Sequence, residues 1–538
     1  MLKFTKAVRR AVGSASRRGI HFFCALVLLA GCSGSVSRRH SSQDQIVAGM
    51  TLEPMGFYPL RALDSGSYYA QTLVYEGLVR YGPNLDVVPA IAKTFAISPD
   101  GLTYTFELRP DVKFSDGSPL TFADISASFK LAQSKLSPFR SDYEAIERIE
   151  LQSPSKLILH LNKRSAPLLS RLVELRILPE KITSARDHGK NALSRNPVGS
   201  GPFRLLRWES GLELVFEPNP FYWGVKPDYK QLVWRVVPDK TLMAMALSRG
   251  ELDVAALDPT SWKVIRDGAR GTIELDRFPG SRTLYLGFNT VKKPFNNVLV
   301  RQAMAEAINR TELANALYSG FAVVPRSDVS VGSWAYNASA KLWPFDLESA
   351  RKNLEAAGYK FIGRNWKSTS DDQLLAFRIL TIRDYQDVAQ VVSDDLKSLD
   401  VPSEVQVVEY STLRQRYLQK GDFEAILWSR SSGPDPECSL VWSKDGAMNY
   451  SKFANTKIES LLAEGRLVTD KVARANVYKE IQGILAKELP WVFLIQPDLL
   501  VAHSVNVGNI KQANQNLTGL PWDNPLFNAA SWKRIDQN

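Results

Sequence analysis

The chain has 538 residues, long enough for more than one hydrophobic core. Its 44% apolar and 23% charged content is that of globular protein, which excludes a disordered or multiply membrane-spanning chain. The net charge is +11, but Lys3, Lys6, Arg9, Arg10, Arg17 and Arg18 all precede residue 31, and 67 cations minus these six leaves 61 against 56 acids; no later run of Lys and Arg is long enough for the counterion release that drives nucleic-acid binding, so nucleic acid is not expected as a partner.

In chain order, the basic start leads into the apolar run Ile20 to Ala30. That run falls short of the about 20 residues a bilayer span needs, and the pattern predicts a secretory signal over 1–31. Leu29-Ala30-Gly31-Cys32 resembles a bacterial lipobox, which implies a lipid on the Cys32 thiol and a new N-terminus there. A plain cleavable signal beside an incidental cysteine is the alternative. Residues 32–44, rich in serine, read as a flexible tether. Cys24 would be discarded with the signal and Cys32 lipidated, leaving Cys438 alone, so no internal disulfide is expected. With five histidines, no metal site or cofactor is expected either.

Beyond the tether, Asp100-Gly101 predicts a turn. Tyr104, Phe106 and Leu108 then alternate with polar residues as a half-buried strand does. Leu212, Leu214 and Phe216 repeat that period. Leu242, Met245, Ala246 and Arg249 have helical spacing, with Gly250 as the stop. Val300, Ala303, Met304, Ala307 and Ile308 form a helical stripe, Leu313 and Leu317 a second helix ending at Gly320, and Val472 to Leu485 a third that stops before Pro490. The alternation predicts mixed α/β architecture.

Several motifs recur in order through this part of the chain. They are Tyr75-Glu76-Gly77-Leu78; Ser98 to Phe106 running on to Phe114-Ser115-Asp116-Gly117; Pro197-Val198-Gly199-Ser200-Gly201-Pro202-Phe203 with Tyr222-Trp223; Gly250-Glu251-Leu252-Asp253; Phe288-Asn289 with Val300-Arg301-Gln302-Ala303; and Ala357-Gly358-Tyr359. Gly199 and Gly201 suggest backbone conformations closed to other residues. Tyr222-Trp223 reads as a core anchor, and Arg301 as a solvated or capping surface charge.

From about Ile46 onward these motifs resemble the bacterial extracellular solute-binding proteins of family 5, the oligopeptide-, dipeptide- and nickel-binding lipoproteins of ABC importers. The resemblance implies the two-lobed periplasmic-binding-protein fold (type II, large class), with an extra subdomain in lobe I. Carried over, lobe I takes 45–65, 195–282 and 498–538, the extra subdomain 66–194, and lobe II 283–497. The crossovers fall near Tyr285–Asn289 and Leu494–Leu499. It also implies a monomer that captures peptides by lobe closure, releases them unchanged to a permease and ATPase complex, and is anchored to a bacterial membrane on its periplasmic side through Cys32.

Relatives that take peptides carry a tryptophan-bearing strand end and an aspartate, four residues before a proline, that pairs with the ligand's α-amine. Here the segment reads Trp428-Ser429-Arg430-Ser431-Ser432-Gly433-Pro434-Asp435-Pro436. Ser432, or Ser431 if the match slips by one, stands where that aspartate is expected. Asp435 could hold the amine instead, or the ligand has no free amine there and Arg430 forks onto a carboxylate or phosphate. Tyr68, Trp334, Trp428 and Trp442, with Tyr69 and Tyr336, are the aromatic candidates for the cleft. Arg416 and Arg414 are candidates for a ligand carboxylate, although their spacing also suits a solvated face.

A ligand of another kind (a murein peptide, an opine-like conjugate, a sugar or nickel) keeps the same fold. A secreted hydrolase is a distant alternative, since the chain has no Gly-x-Ser-x-Gly elbow and no His-Glu-x-x-His.

Overall fold

The structure is a computed structural model that describes residues 44–60, 64–183, 195–268, 271–511 and 521–535. The expected signal, Cys32 and the tether up to residue 43 lie outside the described residues.

Three sheets carry the fold. A seven-stranded mixed sheet has the order Ile273–Phe278, Leu499–Ser504, Val254–Leu257, Gln45–Met50, Gln231–Val236, Glu213–Pro218, Phe203–Glu209. A six-stranded mixed sheet runs Ala322–Val323, Trp491–Pro497, Arg282–Phe288, Ala425–Ser431, Phe377–Thr381, Ser403–Val407. A four-stranded antiparallel sheet runs Ala92–Ile97, Thr103–Leu108, Lys156–Leu161, Ile146–Ser153. The chain passes between the two larger sheets twice, at 279–281 and at Asp498. The strands it enters or leaves there on the six-stranded side, Arg282–Phe288 and Trp491–Pro497, are antiparallel neighbours.

Local chemistry explains the elements. Asp100 accepts from Leu102 N (3.0 Å) and Gly101 adopts φ +71°, which turns the chain into Thr103–Leu108 with Tyr104 and Phe106 buried. Asn297 caps the Val298–Ala307 helix by accepting from Leu299 N (2.9 Å), and Val300, Ala303, Met304 and Ala307 enter the core on one face of the six-stranded sheet. The helix expected near the C-terminus spans Lys471–Glu488; Asp470 caps its start, and Leu489, in a left-handed conformation, ends it. Leu212 departs from expectation: it is exposed in a turn, and the strand begins at Glu213.

Two motifs have reasons other than those their sequence suggests. Arg301 is no surface charge. It is 4% exposed and donates from Nε (2.8 Å) and Nη2 (2.6 Å) to Glu488 O, and from Nη1 to Phe295 O (2.7 Å). It thereby satisfies a carbonyl that the end of the Lys471–Glu488 helix would leave orphaned. Gly199 and Gly201 do not adopt positive φ. They are needed because a Cβ at Gly199 would lie 1.9 Å from Val74 O, and one at Gly201 2.7 Å from Val74 C.

That close approach seats the Tyr75-Glu76-Gly77 motif against the rest. Glu76, buried, accepts from Tyr222 Oη (3.0 Å) and Trp223 Nε1 (2.6 Å), so two motifs 146 residues apart in sequence meet on one carboxyl group. Arg109 lies over the Trp223 ring at 3.9 Å.

Candidate ligand cleft

Antiparallel pairing of Arg282–Phe288 with Ala425–Ser431 sets Arg282 opposite Ser431, Thr283 opposite Arg430 and Tyr285 opposite Trp428. Side chains alternate between faces. Arg282, Ser429 and Ser431 therefore share one face and Trp428 and Arg430 the other. The tryptophan segment thus divides its candidates between two environments.

Two cavities lie at this end of the sheet. The larger, of about 370 Å³, is walled by Tyr68, Tyr69, Tyr143, Arg171, Ser431 and Trp522, among others. Its walls come from the helix Ser65–Val74, the elements around the four-stranded sheet, the six-stranded sheet and the C-terminal segment. The smaller, of about 260 Å³, is lined by Trp334, Ser432, Pro434 and Lys471, and Trp522 borders both. The larger falls within the usual range of roughly 300–1,000 Å³ for small-molecule sites. Both alignments of the missing aspartate thus face a cavity: Ser431 the larger and Ser432 the smaller.

Tyr68 lines the larger cavity, and its hydroxyl donates to Glu174 (3.2 Å), which also accepts from Trp522 Nε1 (3.4 Å). Burial, then the nearby Glu174 charge, pushes the Tyr68 phenol well above its ordinary value. Trp334 lines the smaller cavity and donates to Pro434 O (3.2 Å). Ser432 accepts there from Ser330 N (3.0 Å). Trp428 is half-buried between Tyr385 and Tyr410, with ring centroids 6.0 and 5.8 Å away, and borders neither cavity.

Six candidates are placed otherwise than expected. Arg430 is ion-paired with Asp328, a carboxylate that is 1% exposed, and Trp442 Nε1 donates to the same oxygen (3.0 Å). Asp328 needs that compensation because a lone buried charge is costly; Arg430 is thereby committed inside the fold. Trp442 is itself core, 1% exposed and packed on Trp491 at 4.3 Å, and forms no cleft wall. Asp435 receives both Arg474 Nη1 (2.6 Å) and Nη2 (2.8 Å), together with Glu437 N (2.9 Å). Burial raises its pKa, but Arg474, with help from Arg171, outweighs burial and holds it below the ordinary value. Its oxygens are occupied, which leaves none for a ligand amine. Arg416 and Arg414 are exposed on Leu413–Leu418 and reach neither cavity. Tyr336 accepts from Arg326 N (3.0 Å) outside both cavities.

The sequence reading missed Trp522, Tyr143, Arg171, Glu174 and Arg176. Arg171 pairs with Glu437 (3.3 Å) and Asp142 (3.6 Å), and Arg176 with Glu174 (3.5 Å). Ser170 Oγ reaches Asp435 at 3.4 Å and Ala166 N donates to Arg466 O (2.8 Å), so the elements around the four-stranded sheet touch the 435–474 region directly. Arg171, Glu174 and Arg176 look in sequence like ordinary solvated charges, and only Trp522, in Pro521-Trp522-Asp523-Asn524-Pro525, carried a turn signal.

Three sheets, two chain passages between the larger ones and cavities beside the passages make up the architecture of a two-lobed periplasmic-binding-protein fold. The chain belongs to the bacterial extracellular solute-binding proteins, family 5, whose middle region matches residues 86–451. It is 28% identical to heme-binding protein A of Haemophilus influenzae, over 94% of this chain and 97% of that one. It is 25% identical to the oligopeptide-binding protein AppA of Bacillus subtilis, over 90% and 94%. Among solved structures, it resembles the ABC transporter-associated periplasmic binding protein DppA from Helicobacter pylori in complex with peptide STSA, with a TM-score of 0.77, 26% identity, and coverage of 91% of this chain and 98% of that one.

Proposed function

We propose that this chain is the substrate-binding component of an ABC importer and that it captures short peptides by closing two lobes around them. The larger cavity carries the reading, because its walls join the helix Ser65–Val74, which packs in the core of the seven-stranded sheet, to elements around the four-stranded sheet and to Ser431 of the six-stranded one. A solute held there would tie those bodies together. The seven-stranded sheet, with the four-stranded body, would serve as one lobe and the six-stranded sheet as the other. The passages at 279–281 and Asp498 are then the hinge.

Nothing in this scheme breaks a bond. The ligand would be held by fixed polar groups on an apolar and aromatic lining, with bridging water tolerating varied side chains. The homologues named for heme and for oligopeptides show that this fold accepts more than one ligand chemistry. The peptide reading is preferred because the cavity mixes aromatic rings with fixed ionic pairs. In the cell, the protein would act as a monomer at the periplasmic face of a bacterial membrane, tethered through lipid on Cys32, and deliver its cargo to a permease and ATPase complex.

Titration of the mature protein with a pool of di- to pentapeptides, followed by thermal unfolding, tests this reading. Binding to the native state alone raises Tm with the logarithm of ligand excess, by about 2.7 kcal/mol of stability at 100 times Kd. No rise with any peptide, together with a rise with heme or a sugar, would replace the peptide reading.

A further inference from the structure

We infer that the ligand is gripped by a carboxylate on Arg282 and that no free α-ammonium is needed. This rests on the peptide reading above and specifies which end of the ligand the site holds.

Five acids around the larger cavity already have partners, whereas Asp523, half-buried beside Arg282, forms no ion pair among the described residues. Asp142 and Glu437 pair with Arg171, Glu174 pairs with Arg176 and accepts from Tyr68 and Trp522, and Asp435 is forked by Arg474. Asp64 caps the Ser65–Val74 helix through Ser67 N (2.8 Å). An ammonium entering here would meet Ser431 or Ser432 at the point where an acid is required, and an unpaired buried cation is strongly disfavoured.

The cations are not balanced in the same way. Arg171 and Arg176 have carboxylate partners, but Arg282 forms no ion pair among the described residues. Its single hydrogen bond there runs from Nη1 to Tyr385 Oη (3.2 Å), a hydroxyl held in turn against Ser429 Oγ (2.7 Å). Asp523 is the acid whose charge it feels, and that carboxylate accepts from Ser281 N (2.6 Å). Most of the guanidinium fork is therefore uncommitted.

Its position supplies the rest. Arg282 opens the strand at one of the two chain passages, directly opposite Ser431 and on the same face. Ser431 lines the larger cavity, and so does Tyr69, whose phenol lies close enough to couple with the Arg282 charge. Arg282 is not itself a wall of the cavity; its place on the strand sets it beside Ser431 and Tyr69, which are, where the chain crosses between the sheets. A planar fork of this kind matches a carboxylate with two parallel hydrogen bonds. A ligand carboxylate bound there would bridge the crossover strand to the cavity, with the ligand's apolar portion among Tyr68, Tyr143 and Trp522.

Four versions of one tetrapeptide separate the possibilities: amine free or acetylated, carboxyl free or amidated. Affinity for each is measured calorimetrically with wild type, Arg282→Gln and Arg282→Lys. The expected result is that acetylation changes Kd less than threefold, whereas amidation weakens wild-type binding at least tenfold. In Arg282→Gln the acid and amide bind alike, and Arg282→Lys keeps part of the difference. The wild-type comparison stands even if a variant folds poorly. Equal binding of acid and amide by wild type, an acid–amide gap that survives in Arg282→Gln, or strict dependence on the free amine overturns the inference while leaving peptide capture intact. Binding of none of the four defeats the peptide reading, and this inference with it.

Discussion

Asp435→Asn lowers the unfolding free energy by about 3–5 kcal/mol, the cost of leaving a buried charge without its partner. The side chain of Arg474 is 5% exposed and that of Asp435 9%. Replacing the carboxylate by an amide leaves the guanidinium one uncharged oxygen besides Gly465 O (2.8 Å) and Tyr478 Oη (3.4 Å), in a site closed to water. Arg474→Met should cost a similar amount by stranding the carboxylate. Asp435→Leu combined with Arg474→Met should recover much of the loss, because a buried ion pair is often replaceable by apolar residues of like volume. A denaturant series on Asp435→Leu, Arg474→Met and their combination gives the coupling energy directly. If Asp435→Asn instead leaves stability unchanged and weakens peptide binding, Asp435 is a ligand group and the assignment made here is wrong.

Glu76 sets up the second large effect. Burial raises its pKa from 4.5 to about 7, although hydrogen bonds from Trp223 and Tyr222 and the charges of Arg80 and Arg109 oppose the shift. The unfolded chain ionises near 4.5 while the folded one keeps its proton until about 7. Between those limits the native state binds the extra proton, so stability falls as pH rises. The contribution is fully present below pH 4.5, shrinks through the interval and is lost above 7, a total of about 3 kcal/mol. Glu76→Gln has no such proton to lose. Its amide oxygen can accept from Trp223 and its NH2 can donate to Tyr222. The stability difference between Glu76→Gln and wild type should therefore grow by about 3 kcal/mol from pH 4.5 to 7.5 in urea titrations. A difference that stays constant across that range means the carboxyl group is ionised in the fold.

What the sequence disclosed was local. The Thr103–Leu108 strand and the Val298–Ala307 helix could be read because alternation and helical spacing lie within a few residues, and the tryptophan segment because its order of residues resembles a family pattern. The partners of that segment lie far off. Asp328 is 102 residues from Arg430, Arg474 is 39 from Asp435, and the carbonyl that holds Arg301 is 187 away. A charge with a distant counter-charge looks, in sequence, like a charge in solvent. That is why Arg301 read as surface and Arg430 as a free fork. The larger cavity was hidden for the same reason, since its walls are drawn from residues 59 to 522. Arg282, at the start of a strand otherwise full of Thr, Leu and Tyr, had nothing beside it to suggest that its charge would go unpaired.

Closure of two bodies on a solute underlies everything proposed for this protein. Small-angle scattering of the mature chain, with and without a saturating peptide, measures it without reference to any one residue. A smaller radius of gyration in the peptide-bound sample is the predicted result, as the bodies draw together across Arg171–Glu437 and the cavity shuts. Superimposable curves from peptide-free and peptide-saturated protein would contradict it.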